Sequence, residues 1–237
     1  MPRVNTSRSS AGRWVFFASV LLAAVTSAML VTLALVVPPE TVAPWFEETG
    51  PFERASPWLW IALALWIALV FRKPTISVAA GMVVALAAAA REWDWHVAFT
   101  EYSVLKPPFY YRGEHALHHQ IIAGAIVLAV LVAATILLAR LLRLKPWSRP
   151  IAWWVLTLLF AFGMLVFTKA IDRAPAILAE NLGVDLGPRM RQVFYAIEEG
   201  MEMVLPVFFA AQALAHARWH RARRRLAATL AAGANQP

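Results

Sequence analysis

The chain has 237 residues, of which 60% are hydrophobic and 15% are charged, and its mean hydropathy is +0.60. A soluble domain of this size needs a more polar surface, so the composition predicts an integral membrane protein. The absence of cysteine excludes disulfides, thiolate nucleophiles and cysteine-ligated metal centres. The net charge of +8 does not indicate nucleic-acid binding. Its densest basic run, 221–225, follows an apolar segment, where membrane proteins carry positive anchors.

Six apolar segments are candidates for membrane spans: 14–37, 58–71, 75–96, 120–139, 151–168 and 195–217. The first rises about 36 Å as a helix, which is enough to cross a hydrocarbon core of about 30 Å. Pro38 and Pro39 end it, and Pro74 separates spans two and three, which predicts a tight helical hairpin. The sequence therefore predicts an all-α bundle of six transmembrane helices over residues 14–217. Residues 1–13 form an N-terminal segment before it, and residues 218–237 form a basic tail after it.

Charge is distributed unequally between the alternate ends of these spans. The N-terminus, the Arg72-Lys73 turn, the 140–149 loop and the tail from Arg218 together hold fourteen Lys/Arg and no acid. The opposite ends hold all fourteen acids and eight bases. Basic connections stay in the cytoplasm, because they resist translocation and favour the anionic inner leaflet. The pattern predicts an N-in and C-in orientation with both termini cytoplasmic. Together with the Ala/Leu/Arg/Trp-rich composition, it indicates a bacterial inner membrane.

Four predicted span ends bring ionisable side chains to one membrane level on the outer side. These residues are Arg91, Glu92, Asp94 and His96 in span three, His115, His118 and His119 before span four, Lys169, Asp172 and Arg173 after span five, and Glu198, Glu199 and Glu202 in span six. Ionisable groups at the edge of hydrocarbon are costly and usually face the bundle interior or a water-filled cavity. Six acids lie at this level with three strong bases, which leaves about three carboxylates without a basic partner. We expect protons, imidazolium or a bound cation to neutralise these carboxylates.

Helical spacing places several of these residues on shared faces. Glu92 and His96 are separated by four residues, as are His115 and His119 if the chain there is helical. One stripe of span six has the period of a buried helical face: Tyr195, Glu198, Glu199 and Glu202. Pro206 cannot donate to the carbonyl of residue 202, which predicts a kink beside this deepest carboxylate.

Two histidine patterns resemble the histidine boxes of membrane fatty-acid desaturases and hydroxylases: His115-x-x-His118-His119 and His216-x-x-x-His220. The resemblance covers about ten residues and implies a diiron site. The predicted topology, however, places the two patterns on opposite faces of the membrane, about 25–30 Å apart along span six. Six histidines are also too few for such a site. We therefore reject the diiron interpretation and interpret His216 and His220 as partners of the basic inner anchor.

Haem ligation is a weaker alternative. His96 and one of His115, His118 or His119 are candidate axial ligands from adjacent helices. Six neighbouring acids are a poor setting for such a group.

The leading functional hypothesis is a membrane hydrolase or transferase with a metal-assisted site, acting on a lipid or lipid-linked substrate at the outer-leaflet interface. Imidazole and carboxylate are ligands for zinc or non-haem iron. The expected metal ligands are His96, His115, His118, His119 and Glu199. The expected catalytic acids and bases are Glu202, Glu198 and Glu92. The groups expected to bind anionic oxygens are Arg91, Lys169 and Arg173.

Two other hypotheses use the same residues. The acids are equally suited to a proton- or cation-coupled transporter or carrier subunit. Alternatively, the charged residues act as a polar clamp that unites spans three to six in a structural or assembly subunit of a membrane complex. Membrane lipid is the expected partner, and the sequence leaves homo- and hetero-oligomers open.

Overall fold

A computed structural model of the chain describes residues 7–46, 50–97, 103–111, 115–143 and 149–234. The helices within these ranges are α1 Ser7–Val36, α2 Pro39–Phe46, α3 Pro51–Phe71, α4 Ile76–Glu92, α5 Pro108–Tyr111, α6 Leu117–Leu142, α7 Arg149–Leu182 and α8 Pro188–Ala234. Helix accounts for 87% of the structure, and the described ranges contain no strand. The predicted all-α class is confirmed.

Four helical stretches are long and apolar enough to cross a membrane: Gly12–Val36, Pro39–Phe71, Leu117–Leu142 and Val155–Leu182. They support the prediction of a membrane-embedded protein. Two of the six predicted spans are not among them. The 17 residues of α4 rise only about 26 Å, and α8 carries three carboxylates beside its apolar stretch.

The centre of the fold is α8, against which α1, α3 and α7 all pack, while α4 packs on α3 and α6 packs on α4. The largest side chains of the shared core come from α3 and α8: Trp60, Leu63, Met201, Leu205 and Phe208. The indole Nε1 of Trp66 donates to the carbonyl of Ala210 at 3.1 Å, which joins α3 to α8 through a mid-span hydrogen bond. A helix surrounded on several sides must be compatible with all of its neighbours, so α8 constrains the arrangement of the bundle.

Small residues mediate the contacts of α4. Its buried positions are Ala80, Ala85 and Ala89, and a Cβ at Gly81 would lie 3.6 Å from Ile67 on α3. Small residues allow two helix backbones to approach closely where lipid removes the hydrophobic drive for association. By contrast, only 6% of the most apolar stretch of α6 is buried inside the protein, so this helix lies at the edge of the bundle.

Several predicted boundaries agree with the structure. The first helix ends at Val36, two residues before Pro38. The predicted hairpin is present, since α3 ends at Phe71 and α4 begins at Ile76. Arg72 ends α3 in the left-handed conformation with a φ of 51°, and the Thr75 hydroxyl caps α4 by accepting from the backbone N–H of Val78 at 3.3 Å.

Two helices extend beyond the predicted spans. Span two was predicted from residue 58, but α3 begins at Pro51, because proline in a first helical turn costs no backbone hydrogen bond. Span five was predicted to end at residue 168, but α7 continues through Pro175 to Leu182. Asp172 and Arg173 beside Pro175 are exposed, so the carbonyl that this proline leaves without a donor lies near solvent.

Two predicted histidine geometries were also wrong. Span three was predicted as helix to residue 96, but α4 ends at Glu92 and residues 93–97 form turns, so Glu92 and His96 do not share a helical face. Asp94 has a φ of 53°, a left-handed conformation that cannot continue a right-handed helix. Helix α6 begins at Leu117, so His115 precedes it and does not pair with His119 at helical spacing.

The contact between α1 and α8 generates a test of the packing. A methyl group added at Gly200 would overlap Leu30 Cδ1 and lie 2.8 Å from Leu30 Cδ2. Leu30 is 1% exposed and has little room to move. We expect Gly200→Ala to lower the free energy of unfolding by about 1–3 kcal/mol, measured by thermal unfolding in mild detergent.

Gly163 provides the matched control, because it lies inside α7 and a Cβ there meets nothing within 4 Å. Gly163→Ala should leave stability unchanged or raise it slightly, since alanine is the better helix former. Equal melting temperatures for the two variants would contradict the described contact.

Candidate functional site

An ion pair joins α7 to α8 within the bundle. Lys169 Nζ lies 2.6 Å from Glu202 Oε1 and 3.8 Å from Glu198 Oε1. The two glutamates are four residues apart on α8 and therefore share a face, and both are buried, at 8% and 9% exposure. The structure thus brings together two of the predicted acids and one of the predicted bases.

A second set of polar contacts joins α3 to α4. Glu92 Oε2 accepts a hydrogen bond from Ser56 Oγ at 3.1 Å, and Glu92 Oε1 lies 3.0 Å from Arg91 Nη1. Glu92 also lies within electrostatic range of Glu202 and Lys169. The two sets of contacts therefore belong to one site.

Glu199 lies between these contacts and completes the site. It is half-buried and within electrostatic range of Glu53, Glu92, Glu198 and Glu202. We call the resulting group the carboxylate cluster, which consists of Glu53, Ser56, Arg91, Glu92, Lys169, Glu198, Glu199 and Glu202. Side chains of α3, α4, α7 and α8 all contribute to it.

Sequence reasoning missed Glu53 and Ser56. Both were excluded because span two was predicted to begin at residue 58. The available signal was Gly50-Pro51, since proline favours the first position of a helix and an acid is favoured in the first turn. Started there, α3 carries Glu53 and Ser56 three residues apart on one face.

The charge of the cluster is not balanced by its own cations. Among the residues that the structure describes, the cluster holds five carboxylates, those of Glu53, Glu92, Glu198, Glu199 and Glu202, and two cations, Arg91 and Lys169. Five negative charges against two positive charges leave an excess of three within the cluster. Buried charge of one sign is costly, and protons, bound cations or cations of neighbouring segments offset such an excess.

The contacts that the structure describes for the predicted histidine ligands are with residues outside the carboxylate cluster. His96 Nδ1 is 3.8 Å from Asp94 Oδ1, His115 stacks on Phe109 at 4.7 Å, and the rings of His118 and His119 lie 4.2 Å apart on the exposed first turn of α6. Glu199 is on α8, whereas α6 packs on α4. In the part of the chain that the structure describes, no three His, Asp or Glu side chains form a group able to hold a metal ion. The zinc or iron site stays a prediction.

The remaining predicted residues lie at the margin of the site. Asp172 is exposed but within electrostatic range of Glu198, and Arg173 is also exposed. Tyr195 is 51% exposed, so the predicted stripe of span six is buried only from Glu198 onward.

The second histidine pattern lies at the other end of α8. The Nε2 atoms of His216 and His220 are 2.9 Å apart, and the ring of His216 lies 6.2 Å from that of Phe71 at the end of α3. Arg221 Nη2 donates to the carbonyl of Val70 at 2.8 Å. Fourteen residues separate His216 from Glu202, or about 21 Å along the helix. Arg221 and the end of α3 therefore lie together at the end of α8 opposite the carboxylate cluster.

No protein-family model, curated protein or solved structure matches the chain. The fold and the site define its class on their own. It is an all-helical, membrane-embedded protein in which four helices meet at a cluster of ionisable side chains.

The ion pair between α7 and α8 can be tested by a double-mutant cycle. Lys169→Met leaves Glu198 and Glu202 buried without their cation. We expect a loss of about 2 kcal/mol in unfolding free energy, below the 3–5 kcal/mol of a fully buried pair because the Lys169 side chain is 37% exposed. Adding Glu202→Gln to Lys169→Met should recover part of the loss, measured as thermal unfolding in detergent.

The control for this cycle is Asp94→Asn. The Asp94 side chain is 69% exposed, and asparagine tolerates the left-handed conformation, so the change should stay within about 0.5 kcal/mol. Additive effects of Lys169→Met and Glu202→Gln would show that the two side chains do not interact.

Proposed function

We propose that the chain crosses a bacterial inner membrane six times with both termini in the cytoplasm. On this topology α1, α3, α4, α6, α7 and α8 are the spans, and the carboxylate cluster faces the outer leaflet. The support is the separation of charge along α8, with Arg221 and the end of α3 at one end of the bundle and the cluster at the other. Basic connections mark the cytoplasmic side.

We propose further that the carboxylate cluster binds and exchanges a proton or a small cation, and that the chain is a proton- or cation-coupled transporter or carrier subunit. One observation carries this proposal: Lys169 is paired with Glu202 inside the bundle, while more carboxylates surround it than the two cations offset. Intramembrane acids of this kind typically form ion or proton sites.

The geometry suggests how a cation would be held. Lys169 already occupies the position between Glu198 and Glu202, so an entering cation competes with its ammonium group for the same oxygens. Pro206 lies four residues after Glu202 and has no N–H, which leaves the Glu202 carbonyl oxygen without its helical donor. Carboxylate oxygens and a carbonyl freed within a helix are common cation ligands in membrane transporters.

The test is ion flux in proteoliposomes. With an imposed proton, sodium or potassium gradient and an internal pH- or ion-sensitive dye, wild-type protein should carry one of these ions above the rate of empty liposomes. Glu202→Gln should reduce that flux at least tenfold, because it removes a charge that holds the ion. Asp94→Asn, which alters an exposed acid at the same end, should retain the flux. Wild-type flux equal to that of Glu202→Gln would refute the proposal.

A hydrolase or transferase acting on a lipid or lipid-linked substrate is the second candidate. The observation that favours it is a cavity of 330 Å³ at the start of α8, lined by Tyr195 one helical turn from Glu198 and Glu199. In this mechanism Glu202 or Glu198 is the general base, and Lys169 or Arg91 holds anionic oxygens. A zinc or iron ion held by histidines and carboxylates would activate the attacking water.

This candidate predicts zinc or iron in stoichiometric amount after purification in mild detergent. The metal should be lost in a His96→Ala, His119→Ala double variant, and elemental analysis measures both results. His216→Ala, at the opposite end of α8, is the control. Substoichiometric metal, together with an unchanged lipid profile by mass spectrometry in Glu202→Gln cells, would rule the candidate out. If neither metal nor flux is found, while Arg91→Ala or Glu202→Gln abolishes expression, the cluster is a structural clamp.

A further inference from the structure

The junction between α7 and α8 borders an open surface cavity whose polar groups differ from those of the carboxylate cluster. Gly183 follows α7 with a φ of 64°, and the chain then turns into α8 at Pro188. The cavity of 330 Å³ is lined by Asp185, Leu186, Gly187, Pro188, Arg191, Gln192 and Tyr195. This volume lies at the lower end of the range for small-molecule sites.

A buried amide in the wall of the cavity lacks a partner. Gln192 is 6% exposed, and among the residues that the structure describes its Nε2 has no hydrogen-bond acceptor. An amide N–H left in this state keeps the cost of its lost hydration. Gln192 lines the cavity, and its Nε2 is shielded from solvent, so rotation of the amide toward the cavity would let an acceptor carried by a ligand remove this cost.

The charges at the cavity restrict the ligand. Arg191 Nη2 is ion-paired with Asp185 Oδ1, and both side chains are largely exposed. A simple anion would be drawn to Arg191 but repelled by Asp185 and by Glu198 and Glu199 further along α8. A simple cation would be repelled by Arg191. A ligand that carries both charges can replace the ion pair between Arg191 and Asp185. Its anionic end would then contact Arg191, and its cationic end would contact Asp185.

The apolar surroundings place such a ligand at the membrane surface. Leu186, Pro188 and the half-exposed Tyr195 contribute apolar surface to the cavity, and Ile177 and Leu182 are exposed on the adjoining turns of α7. Tyrosine beside apolar surface is characteristic of the interface between headgroups and hydrocarbon. A lipid headgroup in the cavity would leave its acyl chains beside α7.

We propose that this cavity binds the zwitterionic headgroup of a phosphoethanolamine lipid. The phosphate accepts from the Arg191 guanidinium, a charge-assisted and potentially bidentate contact, and from Gln192 Nε2. The primary ammonium donates to Asp185. The inference rests on the proposed topology, which puts the start of α8 at the membrane surface, but it does not depend on cation exchange by the carboxylate cluster.

The experiment measures lipid binding to the full chain in detergent by native mass spectrometry and thermal unfolding. Phosphatidylethanolamine, phosphatidylcholine and phosphatidylglycerol with identical acyl chains are compared. Phosphatidylethanolamine should bind most tightly, because its ammonium retains N–H donors for Asp185, and phosphatidylglycerol least tightly, because it has no cation. Soluble O-phosphoethanolamine is tested alone. If soluble O-phosphoethanolamine raises the unfolding temperature as much as the lipid does, the lipid assignment is overturned and the ligand is a soluble molecule.

Substitutions inside and outside the cavity test whether the lipid binds there. Arg191→Gln and Gln192→Leu should each weaken phosphatidylethanolamine binding at least tenfold. Arg189→Gln removes a charge from the same helical turn but does not line the cavity, and it should bind as wild type does. Asp185→Asn changes an exposed side chain and should erase the preference for phosphatidylethanolamine over phosphatidylglycerol. Equal binding of the two lipids by wild type, or equal effects of Arg191→Gln and Arg189→Gln, would overturn the proposal.

Failure of this proposal is distinguishable from failure of the proposed ion exchange. Glu202→Gln lies outside the cavity and should retain lipid preference even where it abolishes flux. Loss of the lipid preference in Glu202→Gln would show that the lipid binds at the carboxylate cluster and would overturn the cavity assignment.

Discussion

The cost of burying charge inside the helix bundle is the constraint on which this structure depends. Lys169 and Glu202 lie on different helices, and a carboxylate as buried as that of Glu202 would be expensive to hold without a partner. Their contact at 2.6 Å places the middle of α7 against α8 and fixes the relative height of the two helices. The hydrogen bond from Ser56 to Glu92 does the same for α3 and α4. Polar pairing thus sets the register of a bundle whose apolar surfaces alone would tolerate sliding.

The position of α8 explains how one helix serves packing and chemistry together. Gly200 lies against Leu30 of α1, while Glu199 and Glu202 on the same turns lie among the acids of the carboxylate cluster. The face of α8 that carries Gly200 packs closely on α1, and its ionisable side chains lie on other faces of the same helix. Any movement of α1 against α8 would therefore be transmitted to the carboxylates, because both contacts lie within a single turn.

The sequence predicts well what depends on composition and periodicity, and poorly what depends on helix ends. Helical class, the hairpin after Phe71 and the convergence of Glu92, Lys169 and Glu202 follow from apolar length and charge placement. The contribution of Ser56 was missed because span two was predicted from residue 58, whereas α3 begins seven residues earlier at Pro51. His96 was placed on a helical face that the left-handed Asp94 prevents. Backbone conformation at one residue decided that geometry, and periodicity contains no information about it.

The peripheral position of α6 separates the two functional candidates physically. A centre that uses His118 or His119 needs the first turn of α6 to reach the acids of α8, but α6 packs on α4 whereas α8 packs on α1, α3 and α7. The ion-exchange mechanism needs no such approach, since its groups already belong to helices in contact. Because α8 also carries the lining of the α7–α8 cavity, a headgroup bound there and a cation bound at Glu202 would act on one rigid element about 15 Å apart. The cavity and the carboxylate cluster share no side chain, so occupation of one leaves the proposed ligands of the other in place.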